Sequence, residues 1–172
     1  MPGQMRLSVV AATSKDRLAV SNLLQLYLHD FSEIDDYFEV DQDGRFPSDD
    51  FDAYWGDDPS RRVFVFRLDG ALAGFAFVND WSASGQDLDY GLAEFFVLRS
   101  HRRSGVGWDA ANQVFASLPG QWEVAVRAAN IPALNFWRTA LRDDAIRALS
   151  EITGDSARWD GIIFRFESGA AK

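Results

Sequence analysis

The chain has 172 residues, 47% of them apolar, with fourteen Phe and six Trp, enough for one domain with its own core and too aromatic for a disordered polymer. Its net charge of −9 excludes a general nucleic-acid binder, which needs a basic face. The absence of cysteine excludes a disulfide framework, thiolate-held zinc and a cysteine nucleophile, and the two histidines are too few and too far apart to suggest a metal site.

Met1 to Val10 carries one Arg and a short apolar patch, without the apolar segment and cleavage site of a secretory leader. Met5 is an alternative start. No apolar run approaches the width of a bilayer. The expectation is therefore a cytoplasmic protein with no membrane partner. Leu7 to Ala12 reads as a strand. Thr13 or Ser14 can cap a following helix, in which Leu18, Leu23, Leu24, Tyr27 and Leu28 recur at helical spacing. Phe31 to Pro59 is irregular, broken by Gly44 and Pro47, with a short helix near Phe51 to Trp55. Twelve of the 26 acidic residues fall between Asp30 and Asp58, against one base, Arg45. That run is either a solvated surface or an electrostatic funnel for a cation.

Arg62 to Leu68 and Leu72 to Val78 are apolar, aromatic runs joined by Asp69-Gly70, which predicts a β-hairpin. Trp81 to Asp89 is a polar loop, and Leu92 to Leu98 a further strand. From Gly105 to Leu118 the residues Val106, Ala110, Val114, Phe115 and Leu118 follow a helical pattern, stopped by Pro119-Gly120. Trp122 to Ala128 is a strand. Pro132 suits a helix start, with Ala133 to Leu141 as its body. Ile146 to Ile152 and Gly161 to Phe166 form a terminal antiparallel pair around Gly154-Asp155, and the tail after Glu167 is expected to fray. The order is that of one mixed α/β domain.

The most informative stretch runs from Glu94-Phe95-Phe96-Val97-Leu98 into Arg102-Arg103-Ser104-Gly105-Val106-Gly107-Trp108. An apolar strand enters a basic, glycine-containing turn that opens an amphipathic helix. The first turn of a helix has unpaired N–H groups and partial positive charge, which together bind phosphate. Gly105 and Gly107 keep side chains out of the way of an approaching pyrophosphate. A P-loop is excluded because no Gly-Lys-Ser/Thr ending occurs. A dinucleotide fingerprint is excluded because only two spaced glycines occur.

This stretch resembles the cofactor motif of the GNAT superfamily of acyl-CoA N-acyltransferases, Gln/Arg-x-x-Gly-x-Gly/Ala, with Arg102, Gly105 and Gly107 in its defined positions. A second motif of that superfamily, Asn-x-x-Ala-x-x-Phe-Tyr, is matched by Asn130, Ala133 and Phe136, with Trp137 where Tyr is usual. The resemblance covers roughly residues 7 to 166. It implies a mostly antiparallel, twisted sheet of about seven strands, flanked by helices, whose fourth and fifth strands splay apart. It implies acetyl-CoA as cofactor. The main chain of Phe96, Val97 and Leu98 would pair with the pantetheine arm. The N–H groups from Arg103 to Trp108 would cradle the pyrophosphate, Arg102 belongs to the same motif, and Asn130 would line the slot. It implies acetyl transfer to a primary amine of a small cationic molecule. Dimers are common in such families, so a homodimer is left open, and no metal is implied.

Transfer to an amine needs a base, a donor for the oxyanion and a leaving thiolate. A backbone N–H near Val97 suits the oxyanion. Glu94, on an apolar strand beside the slot, is the candidate base; the alternative is a carboxylate paired to a nearby Arg. An indole cannot serve as an acid, so Trp137 packs the helix, and water, Tyr90 or Tyr27 remain to protonate the thiolate. For the acceptor, Tyr27, Asp30, Tyr37, Trp55, Trp81 and Asp89 suit a cationic amine, or they close an accessory core. Two other readings stay open: a non-catalytic acyl-CoA sensor, and a protein or peptide N-acetyltransferase.

Overall fold

A computed structural model of the protein describes residues 6–169. The Met5 start and the last three residues of the expected frayed tail lie outside that range. The elements are β1 (Leu7–Ala11), α1 (Arg17–Ser32), β2 (Arg62–Leu68), β3 (Ala71–Asn79), β4 (Tyr90–Val97), α2 (Val106–Ser117), β5 (Gly120–Arg127), α3 (Ile131–Ala140), β6 (Ile146–Thr153) and β7 (Gly161–Ser168). One sheet holds all seven strands in the order β1-β2-β3-β4-β5-β7-β6. Every pairing is antiparallel except β4 with β5.

Local chemistry explains most boundaries. Asp69 and Gly70 both have positive φ, 50° and 85°, the twist-compatible geometry of a two-residue hairpin. Asp16 accepts from the Thr13 N–H at 2.9 Å and caps a 3-10 turn at Ser14–Asp16, so Thr13 starts that turn and α1 follows it. The expected helix at Phe51 to Trp55 is a short 3-10 turn at Asp52–Trp55. Asn130 caps α3, its side-chain oxygen accepting from the Ala133 N–H at 3.2 Å.

The sheet is covered on both faces. On one, α2 and α3 pack Val114, Phe115, Leu134 and Trp137 against Phe66, Val78, Trp122 and Phe164. On the other, Val20, Leu23, Leu24 and Leu28 of α1 join Val65, Phe75, Phe77, Phe96 and Tyr54. Leu18, expected on the apolar stripe of α1, is 73% exposed, and Val20 fills the core instead. The irregular segment after α1 adds Phe38, Phe46, Phe51 and Trp55 to that second core. Much of its aromatic content therefore packs as an accessory core.

Candidate active site

The parallel junction of β4 and β5 is short. The two strands pair only at Tyr90–Trp122, Gly91–Glu123 and Leu92–Val124, while β5 pairs with β7 over its whole length. Beyond Leu92 the strands part and leave a slot. A β-bulge marks the point of parting: Phe77 faces Glu94 and Val78 faces Leu92, so Ala93 is the extra residue. A bulge bends its strand and shifts the alternation of side chains. Leu92 and Phe95 accordingly both join the α2/α3 core, while Phe96 joins the α1 core. Ala93 and Glu94 fall together on the α1 side.

The same register decides which main-chain groups face the slot. The Leu98 N–H donates to Ala73 C=O at 2.8 Å. In an antiparallel ladder alternate residues face the partner. Phe96 and Leu98 thus point to β3, whereas Phe95 and Val97 point to the free edge. Of the three residues expected to pair with a pantetheine arm, only Val97 offers its main chain there. Its carbonyl already accepts from Arg102 Nε at 2.7 Å.

The turn before α2 is open. Gly105 has φ +88°, and a side chain there would meet only empty space. Its glycine serves the backbone twist. Gly107 serves packing, because a Cβ would lie 3.2 Å from the Phe136 ring. No side chain caps α2. Among the described residues, none of the N–H groups from Arg103 to Trp108 donates a hydrogen bond. Arg103 and Trp108 are exposed, and Arg103 has no ion-pair partner among the described residues. Ser104 donates its hydroxyl to His101 C=O at 2.7 Å. A row of unpaired amides with adjacent positive charge and no obstructing side chain suits a diphosphate.

Arg102 is placed differently from its neighbours. Besides the Val97 carbonyl, its guanidinium binds Asp30 at 2.6 Å and lies over the Phe96 ring. Arg99 takes the other oxygen of Asp30, also at 2.6 Å. Burial pushes the Asp30 pKa up, but hydrogen bonds from Arg102 and Arg99 more than offset it and hold it below the usual carboxylate range. Both oxygens of Asp30 are thus committed to pinning the β4–α2 linker onto the end of α1.

Glu94 is the unusual carboxylate. Protein surrounds it and strips away most of its water, which pushes its pKa up to about 7; hydrogen bonding with Tyr27 lowers it in part, and the Asp50 charge raises it. Burial, and then the nearby Glu94 charge, push the Tyr27 hydroxyl well above its ordinary range. Tyr90 lies elsewhere. It pairs with Trp122 at the closed end of the junction, lies tilted against that indole with 5.0 Å between ring centroids, and has Arg62 over its ring. Trp137 is buried against Phe95, Phe115 and Phe136. Asp89 is bound to β5, accepting from the Gln121 N–H at 2.8 Å.

One cavity adjoins the parting point, and a second continues from it. The smaller, about 130 Å³, is lined by Gly91, Leu92 and Ala93 of β4 with Ala125 of β5, Trp81 and Trp159. The larger, about 590 Å³, shares Asn79 and Trp81 with it and continues into the β3–β4 loop. Trp81 lines both cavities. Glu123, not singled out from sequence, is 2% exposed. It accepts from the Ala83 N–H at 2.7 Å, the Ser84 N–H at 3.2 Å, the hydroxyls of Ser82 and Ser84, and Arg165. Its only sequence signal was a carboxylate at the midpoint of a strand otherwise bound for the core.

Among the described residues no helix is long and apolar enough to cross a membrane. No curated protein sequence matches the chain. Solved structures are similar over nearly the whole length. A GNAT-family acetyltransferase from Staphylococcus aureus Mu50 has a TM-score of 0.61 at 11% identity, over 94% of this chain and 99% of its own. The ribosomal-protein-S18-alanine N-acetyltransferase of Escherichia coli has 0.59 at 14%, over 97% of each chain. The spermidine N-acetyltransferase of Vibrio cholerae, solved with CoA and spermine, has 0.58 at 14%, over 94% of each. At such identities the likeness establishes the fold alone. The family model described as Acetyltransferase (GNAT) family matches residues 22–141, which cover most of α1, the split strands, the uncapped turn and α3, and the chain belongs to that family of acetyl-CoA-using acetyltransferases.

Proposed function

We propose that the protein is an N-acetyltransferase acting on a primary amine of a small molecule, with Glu94 as the general base. The observation that carries this reading is Glu94 itself, a carboxylate raised to about 7 on the bulged segment where β4 leaves β5. A base is most useful when its pKa lies near the working pH. Glu94 accepts the proton that the amine gives up, directly or through one water, with the Tyr27 hydroxyl beside it. The N–H groups from Arg103 to Trp108 hold the pyrophosphate, and Arg103 adds charge. Arg102 acts through Val97 and Asp30, fixing the turn. Asn130 sets the start of α3 beside the slot. Acetyl-CoA supplies the acetyl group as a thioester. The Val97 N–H, facing the free edge, is placed to donate to the oxygen on which charge develops; loss of one such donor costs about a hundredfold or more in rate. Trp137 is sealed in the core and offers no acid, so Tyr27 or water returns a proton to the sulfur, whose thiolate, with a pKa of about 8.5, leaves without much help.

The same Trp137 favours one alternative, a module that binds acyl-CoA without turnover. A thiol-release assay over diamines, polyamines, amino sugars, amino acids and peptides separates the two. Amine-dependent release of CoA is expected. If acetyl-CoA raises Tm and no amine releases thiol, the sensor reading replaces this one.

A further inference from the structure

The 590 Å³ cavity beside the slot has a rigid wall and a mixed charge. Its wall is the β3–β4 loop. Glu123 of β5 gathers the Ala83 and Ser84 N–H groups. Arg165 of β7 binds Glu123 and reaches the Asp87 carbonyl at 2.9 Å. Arg158 Nε binds the Ser82 carbonyl at 2.6 Å. A loop of exposed polar residues does not need a buried ion pair at its root; this one is held in shape, as a binding wall must be.

The side chains that this wall presents are not those of a polyamine site. Asp80 and Asp87 line the cavity, are exposed, and have no side-chain partner among the described residues. Arg158 lines it too, lies over Trp81 with 5.6 Å to the ring centroid, and is paired with no carboxylate among the described residues. Arg61, also in the lining, is occupied by Asp58 and the Tyr54 ring. One guanidinium without a carboxylate partner and two carboxylates without a cationic one thus share one space with an indole, Asn79 and Gln86. A polycation would meet Arg158 as a repulsive charge, and a dianion would meet the two aspartates. A group carrying both signs satisfies all three.

We infer that the cavity is the distal acceptor subsite, and that it takes the α-amino acid end of a diamine. The carboxylate lies on Arg158 and the α-ammonium on Asp80 and Asp87. The side-chain amine then extends past Trp81 and Ala93 toward Glu94. This inference rests on the transfer reading above.

Lysine and cadaverine test it as a matched pair, since they differ only by the carboxylate. The wild-type protein is expected to favour lysine over cadaverine in kcat/KM by roughly tenfold or more, the range of one charge-assisted contact. Arg158→Ala is expected to bring that ratio near one, and Asp87→Asn to weaken lysine binding as read by calorimetry in the presence of CoA. Arg158 is exposed, so the fold should tolerate its loss; an unchanged Tm checks this. Equal use of the two amines, a better rate with spermidine or glucosamine, or a ratio insensitive to Arg158→Ala overturns the inference while leaving acetyl transfer intact. Thiol release with none of these amines overturns it as well, and then counts against the transfer reading.

Discussion

Glu94 is held by forces that favour its neutral form, and this couples activity to stability with opposite signs. A carboxyl raised from its ordinary 4.5 to about 7 binds a proton more tightly folded than unfolded. Its contribution is fully present below the unfolded pKa and is lost as pH rises through the folded one. Between pH 4.5 and 7 the folded state should lose roughly 2–3 kcal/mol from this group alone. Glu94→Gln removes that slope. The variant is expected to melt above the wild type at pH 8 and to turn over at least a hundredfold more slowly, with acetyl-CoA binding intact. The wild-type kcat/KM should rise with pH around 7, and that limb should vanish in the variant. A variant with normal rate would remove Glu94 as the base. The candidate base was legible because a charge on an apolar strand is conspicuous. The fate of Asp30 was not. It was expected to face an amine, and nothing local in the sequence announces that Arg99 and Arg102, about seventy residues away, fold back onto it.

The elements were read more fully than the contacts between them. The Arg62–Leu68 strand, the Asp69-Gly70 turn and the Gly105 helix start follow from alternation and turn chemistry that act over a few residues. The bulge at Ala93 did not, because it is a property of β4 against β3 and leaves no mark on β4 alone. Its consequence is large: without the extra residue Glu94 would exchange faces with Phe95. The start of α2 supports a sharper test. Gly105 lies at φ +88° in open space, so Gly105→Ala meets backbone strain and no clash. The expected loss is about 1–2 kcal/mol, roughly 2–8 °C in Tm for a chain of this size. Acetyl-CoA should still raise Tm in that variant. Gly105→Glu sets a carboxylate where the diphosphate is proposed to sit and should abolish the rise. An undiminished rise would show that the cradle lies elsewhere.

Across the molecule the sheet is two antiparallel sections joined by three parallel residue pairs. A slot opened between strands costs pairing at the very place where the two sections meet. The Glu123–Arg165 pair restores a tie there, linking β5 and β7 to the loop that leaves β3, and it does so beneath the cavity wall. A buried ion pair adds little net stability, yet removing one partner strands the other charge, at about 3–5 kcal/mol. Glu123→Leu and Arg165→Met should each lower Tm by roughly 10 °C. The double variant should lose clearly less than the sum, because no lone charge remains. The Ala83 and Ser84 amides lose their acceptor whenever Glu123 is gone, so their hydrogen exchange should quicken in Glu123→Leu and in the double variant, and less in Arg165→Met. Acceptor KM should rise in parallel with that exchange, while the Tm shift caused by acetyl-CoA, generated on the far side of the slot at α2, should persist. Strictly additive losses, or slow exchange at Ala83 and Ser84 without Glu123, would mean that the loop is held by something other than this clamp.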